Sequence, residues 1–391
     1  MADAAVAAAG QGHKVYFVTV EPAAEFFSSG GRETMVNLLR PLKGALRIIS
    51  QPVGFTFEFG SEVYRAAIYK TLIANNVPEG TPVILSDDGA VWSAACALAD
   101  KYAVTGVLHG DQDYYYDRAA AYHRQLSLCV CVSARIKRTL LVKCPDIDAK
   151  KVMTIPCGIN LPEYRPEPNS GDVLQLAFIG RLTDYEKRAG DLVLIAEELQ
   201  RGGVSYHLHI AGNSDSSAIT FRDSFRAKGV EPNVTFHGWQ AKAAVQQMLN
   251  ASDILLLTSN SEGMPLVMME ALASGCGFTG TRVSGIEDYE HHALAARCVA
   301  VYAVGEIDDA VNKIMQVAAV PAALRRQSAR TLAEAEFGMD TCLSRYFAAL
   351  QAIGKKQMPP SPLALSATDK IRSQVLATLR YMKVKAMNKK L

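Results

Sequence analysis

The chain has 391 residues, of which 49% are hydrophobic and 20% are charged, and these values are typical of globular domains with buried cores. They argue against a disordered protein, and the net charge of +2 gives no reason to expect a nucleic-acid partner. The length is sufficient for two domains of ordinary size.

The cysteine pattern and the amino terminus indicate whether the protein binds a metal and whether it is secreted. The eight cysteines are scattered, without a CxxC pair or the histidine spacing of a zinc site, so we expect reduced, buried thiols and no metal. The opening segment, MADAAVAAAGQGHK, lacks both an early basic residue and a sustained apolar core, which makes it a poor secretory signal. No uncharged stretch approaches the length of a membrane span, so we expect a cytoplasmic enzyme.

Short apolar runs alternate with longer helical patterns along the chain, which predicts βα units and parallel sheets. Strands are predicted in the first half at 15–19, 82–86, 104–109, 128–132 and 151–155, with a helix at 90–102. In the second half they are predicted at 174–179, 206–211, 234–237, 254–258 and 277–281, with helices at 190–200 and 265–274. The predicted fold class is α/β, with two doubly wound domains around a cleft that binds ligand at the carboxyl ends of the strands.

The segment NLPEYRPEPNSGD is rich in proline and polar residues and predicts a domain boundary. We therefore expect an N-terminal domain at 1–161, a second domain at 172–350 and an appended segment at 351–391. In the appended segment nine Lys and Arg residues face a single acidic residue, Asp369. Its stretch 367–388 has the spacing of an amphipathic helix, which could lie on an anionic membrane surface or dock on the domains with its charges in water.

The most informative stretch is DILLLTSNSEGMPLVMMEALASG, in which a buried strand leads through a turn into a helix. Glu262 lies in the turn, and Gly263 permits a close approach of the backbone. Met264 and Pro265 are expected to open the helix ahead of Leu266, because proline suits the first helical position. Free N–H groups at the helix start, together with the helix dipole, predict a phosphate site.

A second carboxylate, Glu270, follows on the same helix, roughly 8 Å beyond Pro265 at about 1.5 Å per residue. Glu262 and Glu270 could therefore bracket a ligand whose diphosphate is held at the helix start, each accepting hydrogen bonds from hydroxyl groups. The same pair also fits a salt bridge at the domain edge and a solvated turn, so the interpretation depends on its context.

That context is AFIGRLTDYEKRAGDL, in which a predicted strand delivers Gly180 and Arg181 to a loop, and Lys187 follows. Two cations at the end of a strand could neutralise the charge that develops on a departing diphosphate. Arg188 competes with Lys187 for this role, and the sequence leaves the choice open.

Together these segments resemble the retaining glycosyltransferases of family 4, which have the two-domain GT-B fold. The resemblance extends from about residue 12 to residue 350. Its further motifs, in order, are GHKVYFVT, SLCVCVSARIKRTL, KVMTIPCGIN, HIAGN, NVTFHGW and TRVSGIED. The first domain would then be the acceptor side, and the second would bind a nucleotide sugar.

The resemblance implies roles for particular residues. Arg181 and Lys187 would hold the diphosphate of a UDP or GDP sugar, Glu262 would bind the transferred sugar and Glu270 the ribose. Gly263, Met264 and Pro265 would place backbone N–H groups around these ligands, and Leu266 would also belong to the donor site. Such enzymes retain the anomeric configuration and usually need no metal, and the departing phosphate oxygen is thought to help take the acceptor proton. The acceptor would be a growing polysaccharide, a lipid-linked glycan or a small molecule.

In the first domain, His109 in VLHGDQD occupies the place where a family histidine faces the donor sugar. A histidine after a strand is as readily structural, and both interpretations stay open. Asp111 and Asp113 are weaker candidates for the acceptor site.

The resemblance is incomplete at the start, where only MADAAVAAAGQ precedes Gly12 and His13. We therefore expect the usual first strand and Gly-Gly loop to be absent, either because the chain is truncated or because another segment takes their place. The segment SSGGRETMVNLL, at 28–39, resembles such a loop but follows the strand at 15–19. A catalytically impaired binder of nucleotide sugars is therefore the first alternative. A GT-B epimerase ranks below it, and a nicotinamide oxidoreductase last, because no GxGxxG follows a strand.

Overall fold

The computed structural model describes residues 2–22, 46–53, 57, 60–85, 87–164, 172–212, 216–353, 358–363 and 366–388. The glycine-rich segment 28–39 lies outside these ranges. The chain forms two compact units. The first contains Met1–Cys131, Thr139–Met153 and Leu343–Leu391, and the second contains Val132–Arg138 and Thr154–Cys342.

The described residues of the first unit form two small sheets. Helix α1 (Ala2–Gly10) precedes β1 (Val15–Pro22), which pairs in parallel with β2 (Leu46–Val53). A four-stranded sheet has the order β3 (Val83–Ile84), β4 (Val104–Leu108), β5 (Leu126–Cys131), β6 (Val152–Thr154). The helices that follow these strands or connect them are α2 (Glu62–Asn76), α3 (Gly89–Cys96), α4 (Asp113–Tyr122) and α5 (Ala134–Lys143).

The second unit is a regular alternation of strands and helices. Its strands are β7 (Leu174–Ile179), β8 (Tyr206–Ala211), β9 (Val234–Gly238), β10 (Ile254–Leu257), β11 (Gly277–Thr281) and β12 (Val299–Tyr302). Its helices are α6 (Asp184–Lys187), α7 (Gly190–Arg201), α8 (Ser216–Ala227), α9 (Lys242–Ala251), α10 (Leu266–Ala273), α11 (Ile307–Ala318) and α12 (Ala322–Glu336). Helix α13 (Met339–Ile353) begins in this unit, and α14 (Ala367–Asn388) belongs to the first.

The strand order of the second unit defines where a ligand would bind. The six strands lie in the order β12-β11-β10-β7-β8-β9 and all pair in parallel. The chain therefore winds outward from β7 in one direction, returns to the centre at β10 and winds outward in the other. This is the Rossmann order, and its switch point lies between β7 and β10, where the carboxyl ends of the strands open a crevice for ligands.

The longer helices of this unit bury apolar residues with the 3.6-residue period of an amphipathic helix. In α7, for example, Leu192, Ile195, Ala196 and Leu199 are all buried. Within the described ranges, no helix has both the length and the apolarity needed to cross a bilayer.

The predicted α/β class with parallel sheets is confirmed. The strands at 174–179, 206–211 and 277–281 match the prediction at both ends. The helix predicted at 90–102 ends instead at Cys96, because the chain tightens there into turns whose N–H groups bond three residues back, as from Leu98 to Ala95. The sequence did not indicate α1, β2 or β12.

Candidate active site

The switch point of the second unit holds a paired cation and carboxylate. Lys187 is the last residue of α6, after β7, and Glu262 lies in the turn after β10. Their Nζ and Oε1 atoms are 2.6 Å apart, and their side chains are only 18% and 10% exposed. The hydroxyl of Ser259 donates to the same carboxylate oxygen at 2.6 Å. The negative charge of Glu262 is thus compensated by Lys187, and its carboxylate is fixed in position before any ligand binds.

Three hydrogen bonds hold the loop after β7 against the loop after β10. The hydroxyl of Thr258 donates to the carbonyl of Lys187 at 2.6 Å. Asn260 donates its backbone N–H to the carbonyl of Glu186 at 2.8 Å and its side-chain amide to that of Tyr185 at 3.0 Å. No distinctive sequence pattern marks Thr258, Ser259 or Asn260, because polar residues are ordinary in a loop.

Two glycines permit the close backbone packing around this site. A Cβ atom on Gly285 would lie 2.4 Å from the carbonyl oxygen of Gly263, and Gly285 has a φ of +75°. A Cβ atom on Gly212 would lie 2.2 Å from the carbonyl oxygen of Gly180. The hydroxyl of Ser284 also donates to Gly263 at 3.2 Å. These contacts fix the backbone of both candidate glycines, Gly180 and Gly263.

The start of α10 leaves backbone donors free. Pro265 has a ψ of 114° and is the N-cap, so the helix begins at Leu266 and not at Pro265 as predicted. Pro265 cannot cap through its side chain, and no described residue accepts from the N–H groups of Leu266 and Val267. Met264 is buried below this start, whereas Leu266 is exposed. Free N–H groups at the positive end of a helix suit a phosphate.

Glu270 lies further along α10, and its side chain is half-buried. Burial raises the pKa of this carboxyl group, and the nearby ammonium of Lys242 on α9 opposes that change. No hydrogen bond joins the carboxylate to another part of the chain that the structure describes. It therefore keeps its acceptor capacity for a ligand.

The two arginines near the end of β7 differ in their partners. Arg181 lies two residues after the end of β7, is exposed and pairs with Glu186. Arg188 has a left-handed backbone, with a φ of 45°, and makes two hydrogen bonds to Asp191, at 2.7 and 3.0 Å. Of the adjacent residues Lys187 and Arg188, only Lys187 is paired with Glu262. The structure thus places Lys187 at the switch point and engages Arg188 with α7.

His109 belongs to the first unit, where it follows β4. Burial lowers its pKa, and the negative charge of Asp87 acts in the opposite direction. Asp87 accepts from the hydroxyl of Tyr115 at 3.1 Å, and its carbonyl accepts from Tyr114 at 2.5 Å. The histidine is therefore held mainly neutral beside a carboxylate at the carboxyl end of this sheet.

The two weaker candidates in this unit both have partners within it. Asp111 accepts from the hydroxyl of Tyr116, and Asp113 forms an ion pair with Lys143. In the described part of the chain, no group of three or more His, Cys, Asp or Glu side chains is arranged to hold a metal ion.

Comparison with known proteins finds similarity to glycosyltransferases in the part of the chain that contains this site. Residues 162–331 match the family model of the glycosyl transferases group 1, and this range includes Lys187, Glu262 and Glu270. The lipopolysaccharide 1,6-galactosyltransferase of Salmonella typhimurium is 31% identical over 194 residues, which are 48% of this chain and 51% of that protein. The D-inositol 3-phosphate glycosyltransferase of Mycobacterium leprae is 26% identical over 231 residues, which are 55% of this chain and 52% of that protein. The chain thus spans about half the length of these curated relatives.

Solved structures of glycosyltransferases resemble a larger part of the chain than the curated relatives do. The lipopolysaccharide outer core galactosyltransferase WaaB, without ligand, has a TM-score of 0.63 at 18% identity and covers 86% of this chain and 99% of its own. HepE from Anabaena, solved with UDP-glucose, has a TM-score of 0.64 at 13% identity, with 86% and 99% coverage. At such identities the likeness concerns the fold alone. The predicted GT-B fold is confirmed.

Proposed function

We propose that the protein is a glycosyltransferase that moves a sugar from a nucleotide-diphosphate sugar to a hydroxyl group of an acceptor, with retention of configuration. The observation that carries the proposal is the Lys187–Glu262 pair, 2.6 Å apart at the switch point and next to the free N–H groups of α10. The match of residues 162–331 to the glycosyl transferases group 1 supports it.

In this proposal the diphosphate lies at the start of α10. The N–H groups of Leu266 and Val267 donate to it, and Arg181 and Lys187 supply positive charge. The ammonium of Lys187 has three donors, of which Glu262 takes one, so two remain for phosphate oxygens. Negative charge grows on the phosphate as the bond to the sugar breaks, and cations already in position stabilise that charge without reorganisation.

The two carboxylates bind hydroxyl groups on either side of the diphosphate. Glu262 accepts from the transferred sugar, and Glu270 accepts from the ribose further along the helix. Arg181 and Lys187 supply the charge stabilisation that a metal provides in other enzymes, so the reaction proceeds without one. We also propose His109 as a catalytic residue that acts on the sugar, because its neutral ring can both donate and accept a hydrogen bond.

The donor is a UDP sugar, and the acceptor is a glycan or a lipid-linked sugar. HepE was solved with UDP-glucose, and the pneumococcal O-GlcNAc transferase GtfA, with a TM-score of 0.58, was solved with UDP and GlcNAc. The Salmonella relative acts on lipopolysaccharide by its name. These proteins support the choice of donor and of acceptor class for this chain.

The test is calorimetric titration of the full chain with UDP, GDP and ADP, followed by a transfer assay with the sugar conjugates of the nucleotide that binds. Changing Glu262 to Ala should abolish transfer while the nucleotide still binds, because that carboxylate contacts the sugar. A matched control is Glu197→Ala, which removes an exposed carboxylate from α7.

Each other outcome has a definite meaning. Nucleotide binding without donor hydrolysis or transfer would indicate the impaired binder of nucleotide sugars. Interconversion of the donor sugar without transfer would indicate an epimerase. No binding of any nucleotide by the folded chain would overturn the proposal.

A further inference from the structure

Helix α14 packs against the first unit through one narrow face. Ser373 and Ala377 on this face are fully buried, and the hydroxyls of Ser373 and Ser61 lie 2.5 Å apart at the N-cap of α2. The guanidinium of Arg380 donates to the carbonyl of Gly60 at 3.0 Å. Residues 373, 377 and 380 follow one another at helical spacing, so they define a single docked side of α14.

The opposite side of α14 is apolar and faces outward. Ile371, Val375 and Leu379 are 66%, 54% and 59% exposed. They are four residues apart, so they form one stripe about 12 Å long at 1.5 Å per residue. A helix that docks on a globular domain normally presents polar residues to water on its outer side. An exposed apolar row of this kind is typical of a surface that binds an apolar partner.

Positive charge lies beside one end of the outer stripe. Lys370 and Arg372 flank Ile371 and are exposed. The segment 351–391 contains nine Lys and Arg residues and one acidic residue, Asp369, whereas the whole chain has a net charge of only +2. The cations are thus concentrated on the segment that carries the stripe, and they call for an anionic partner.

We infer that the outer stripe of α14, formed by Ile371, Val375 and Leu379, binds the surface of an anionic lipid bilayer. The aliphatic side chains would enter the boundary between headgroups and acyl chains, and the flanking cations would meet lipid phosphates. The docked side stays on α2, so the bilayer is contacted without unfolding of the unit. The helix lies along the membrane surface and does not cross it.

A second copy of the chain is the less favourable occupant of this surface. Pairing two copies through the outer stripe would place two segments with the same excess of positive charge side by side, and like charges repel. An anionic bilayer is instead attracted by the same positive charges, which favours binding. This argument does not depend on the proposed sugar transfer.

The experiment is flotation of the full chain with phosphatidylcholine vesicles that contain or lack phosphatidylglycerol. We expect binding only to the anionic vesicles, and weaker binding as salt is added. Changing Ile371, Val375 and Leu379 together to Ser should weaken binding by tenfold or more. A matched control changes three exposed apolar residues elsewhere to Ser, namely Val142, Met315 and Leu324, and should bind as the unchanged chain does.

The charge contribution has its own pair of variants. Changing Lys370 and Arg372 to Glu should also weaken binding by about tenfold or more, whereas the same change at the exposed Lys150 and Lys228 should not, although both alter the net charge equally. Circular dichroism and thermal unfolding verify that each variant is folded. Equal vesicle binding by the stripe variant and the unchanged chain would overturn the inference. So would dimerisation that the stripe variant loses while the chain binds no vesicles.

Discussion

The ammonium nitrogen of Lys187 lies 2.6 Å from a carboxylate oxygen of Glu262, although 75 positions separate the two residues in the sequence. The pair joins the carboxyl ends of β7 and β10, which are the two central strands at the switch point of the sheet. Each residue thereby controls the charge that the other presents to a ligand. Without Lys187, the carboxylate of Glu262 would repel a diphosphate.

Because of this coupling, Lys187→Met should weaken nucleotide binding by at least about tenfold, and Glu262→Gln should change it by less than about threefold. The double variant should bind more tightly than Lys187→Met alone, since the unpaired carboxylate is then also absent. Calorimetric titration with the bound nucleotide measures all three. Additive effects of the two changes would contradict the coupling.

Arg181 and Arg188 provide a matched pair of variants near the same strand. Changing Arg181 to Ala should lower kcat/KM for transfer by about ten- to a hundredfold, because its charge helps to stabilise the departing diphosphate. Changing Arg188 to Ala should lower it by less than about threefold, since its guanidinium is engaged with Asp191. Steady-state kinetics of both variants test the assignment, and a larger loss with Arg188→Ala would reverse it.

Glu270 should make nucleotide affinity sensitive to mildly acidic pH. Burial raises the pKa of its carboxyl group, so it takes up a proton at a higher pH than an exposed glutamate as the solution is acidified. Protonation removes acceptor capacity for the ribose hydroxyls, and affinity should therefore fall with decreasing pH through that raised pKa. In Glu270→Gln, affinity should be lower at neutral pH and this part of the pH dependence should be gone. Binding isotherms over a pH series measure both effects.

The buried ion pair of Asp253 and Arg325, at the amino end of β10, should contribute strongly to the free energy of unfolding. The guanidinium of Arg325 and the carboxylate of Asp253 are 2.7 Å apart, and both side chains are almost fully buried. Burial lowers the pKa of Arg325, an effect that Asp253 opposes. Asp253→Ala leaves this cation uncompensated and should lower the free energy of unfolding by about 3–5 kcal/mol.

Urea denaturation provides that measurement. The surface variant Asp308→Ala is the control, and it should change the free energy of unfolding by less than about 0.5 kcal/mol. If Asp253→Ala were equally mild, the pair would not be the buried anchor that its geometry indicates.

The histidines of β8 and β9 should make the second unit sensitive to acid. Burial and the neighbouring His207 and His237 lower the pKa of His209 from 6.5 to about 4. The unfolded chain takes up a proton near pH 6.5 while the folded chain does not, so this stability is present above pH 6.5 and is lost as the pH falls towards 4. The loss should be about 1–2 kcal/mol, because the ring is only partly buried.

Thermal unfolding between pH 7 and pH 4 tests this expectation. The variant His209→Gln should show a shallower decline of Tm across that window than the unchanged chain. Parallel declines in both proteins would assign the acid sensitivity to other groups.

The sequence predicted the parts of the fold that local patterns determine. The strands at 174–179, 206–211 and 277–281 are runs whose length and flanking turns are sufficient to define them. Strand β2, LRIISQPV, contains Arg, Ser, Gln and Pro, and it becomes a strand by pairing with β1, which is a tertiary contact that no local pattern displays.

The charged residues of the candidate site could be predicted from the sequence, but the residues that hold them in position by hydrogen bonds could not. Glu262, Glu270, Arg181 and Lys187 were found from the order of strand, turn and helix, and their catalytic and binding roles stay predictions. Sequence spacing cannot separate adjacent positions, whereas the structure gives Lys187 and Arg188 different partners, Glu262 for the first and Asp191 for the second. Ser259, which fixes the carboxylate of Glu262, gave no signal because a serine in a loop is ordinary.

The discontinuous composition of the first unit has a consequence for biosynthesis. Residues 343–391 belong to that unit, and the N–H groups of Met358 and Ser361 bond to the carbonyls of Ala99 and Cys96. During translation these residues leave the ribosome after every residue of the second unit. Domains emerging from the ribosome usually complete their folding in chain order. Here the second unit has all its residues first, and until residues 343–391 emerge the first unit stays incomplete, with the surfaces that these residues later cover exposed.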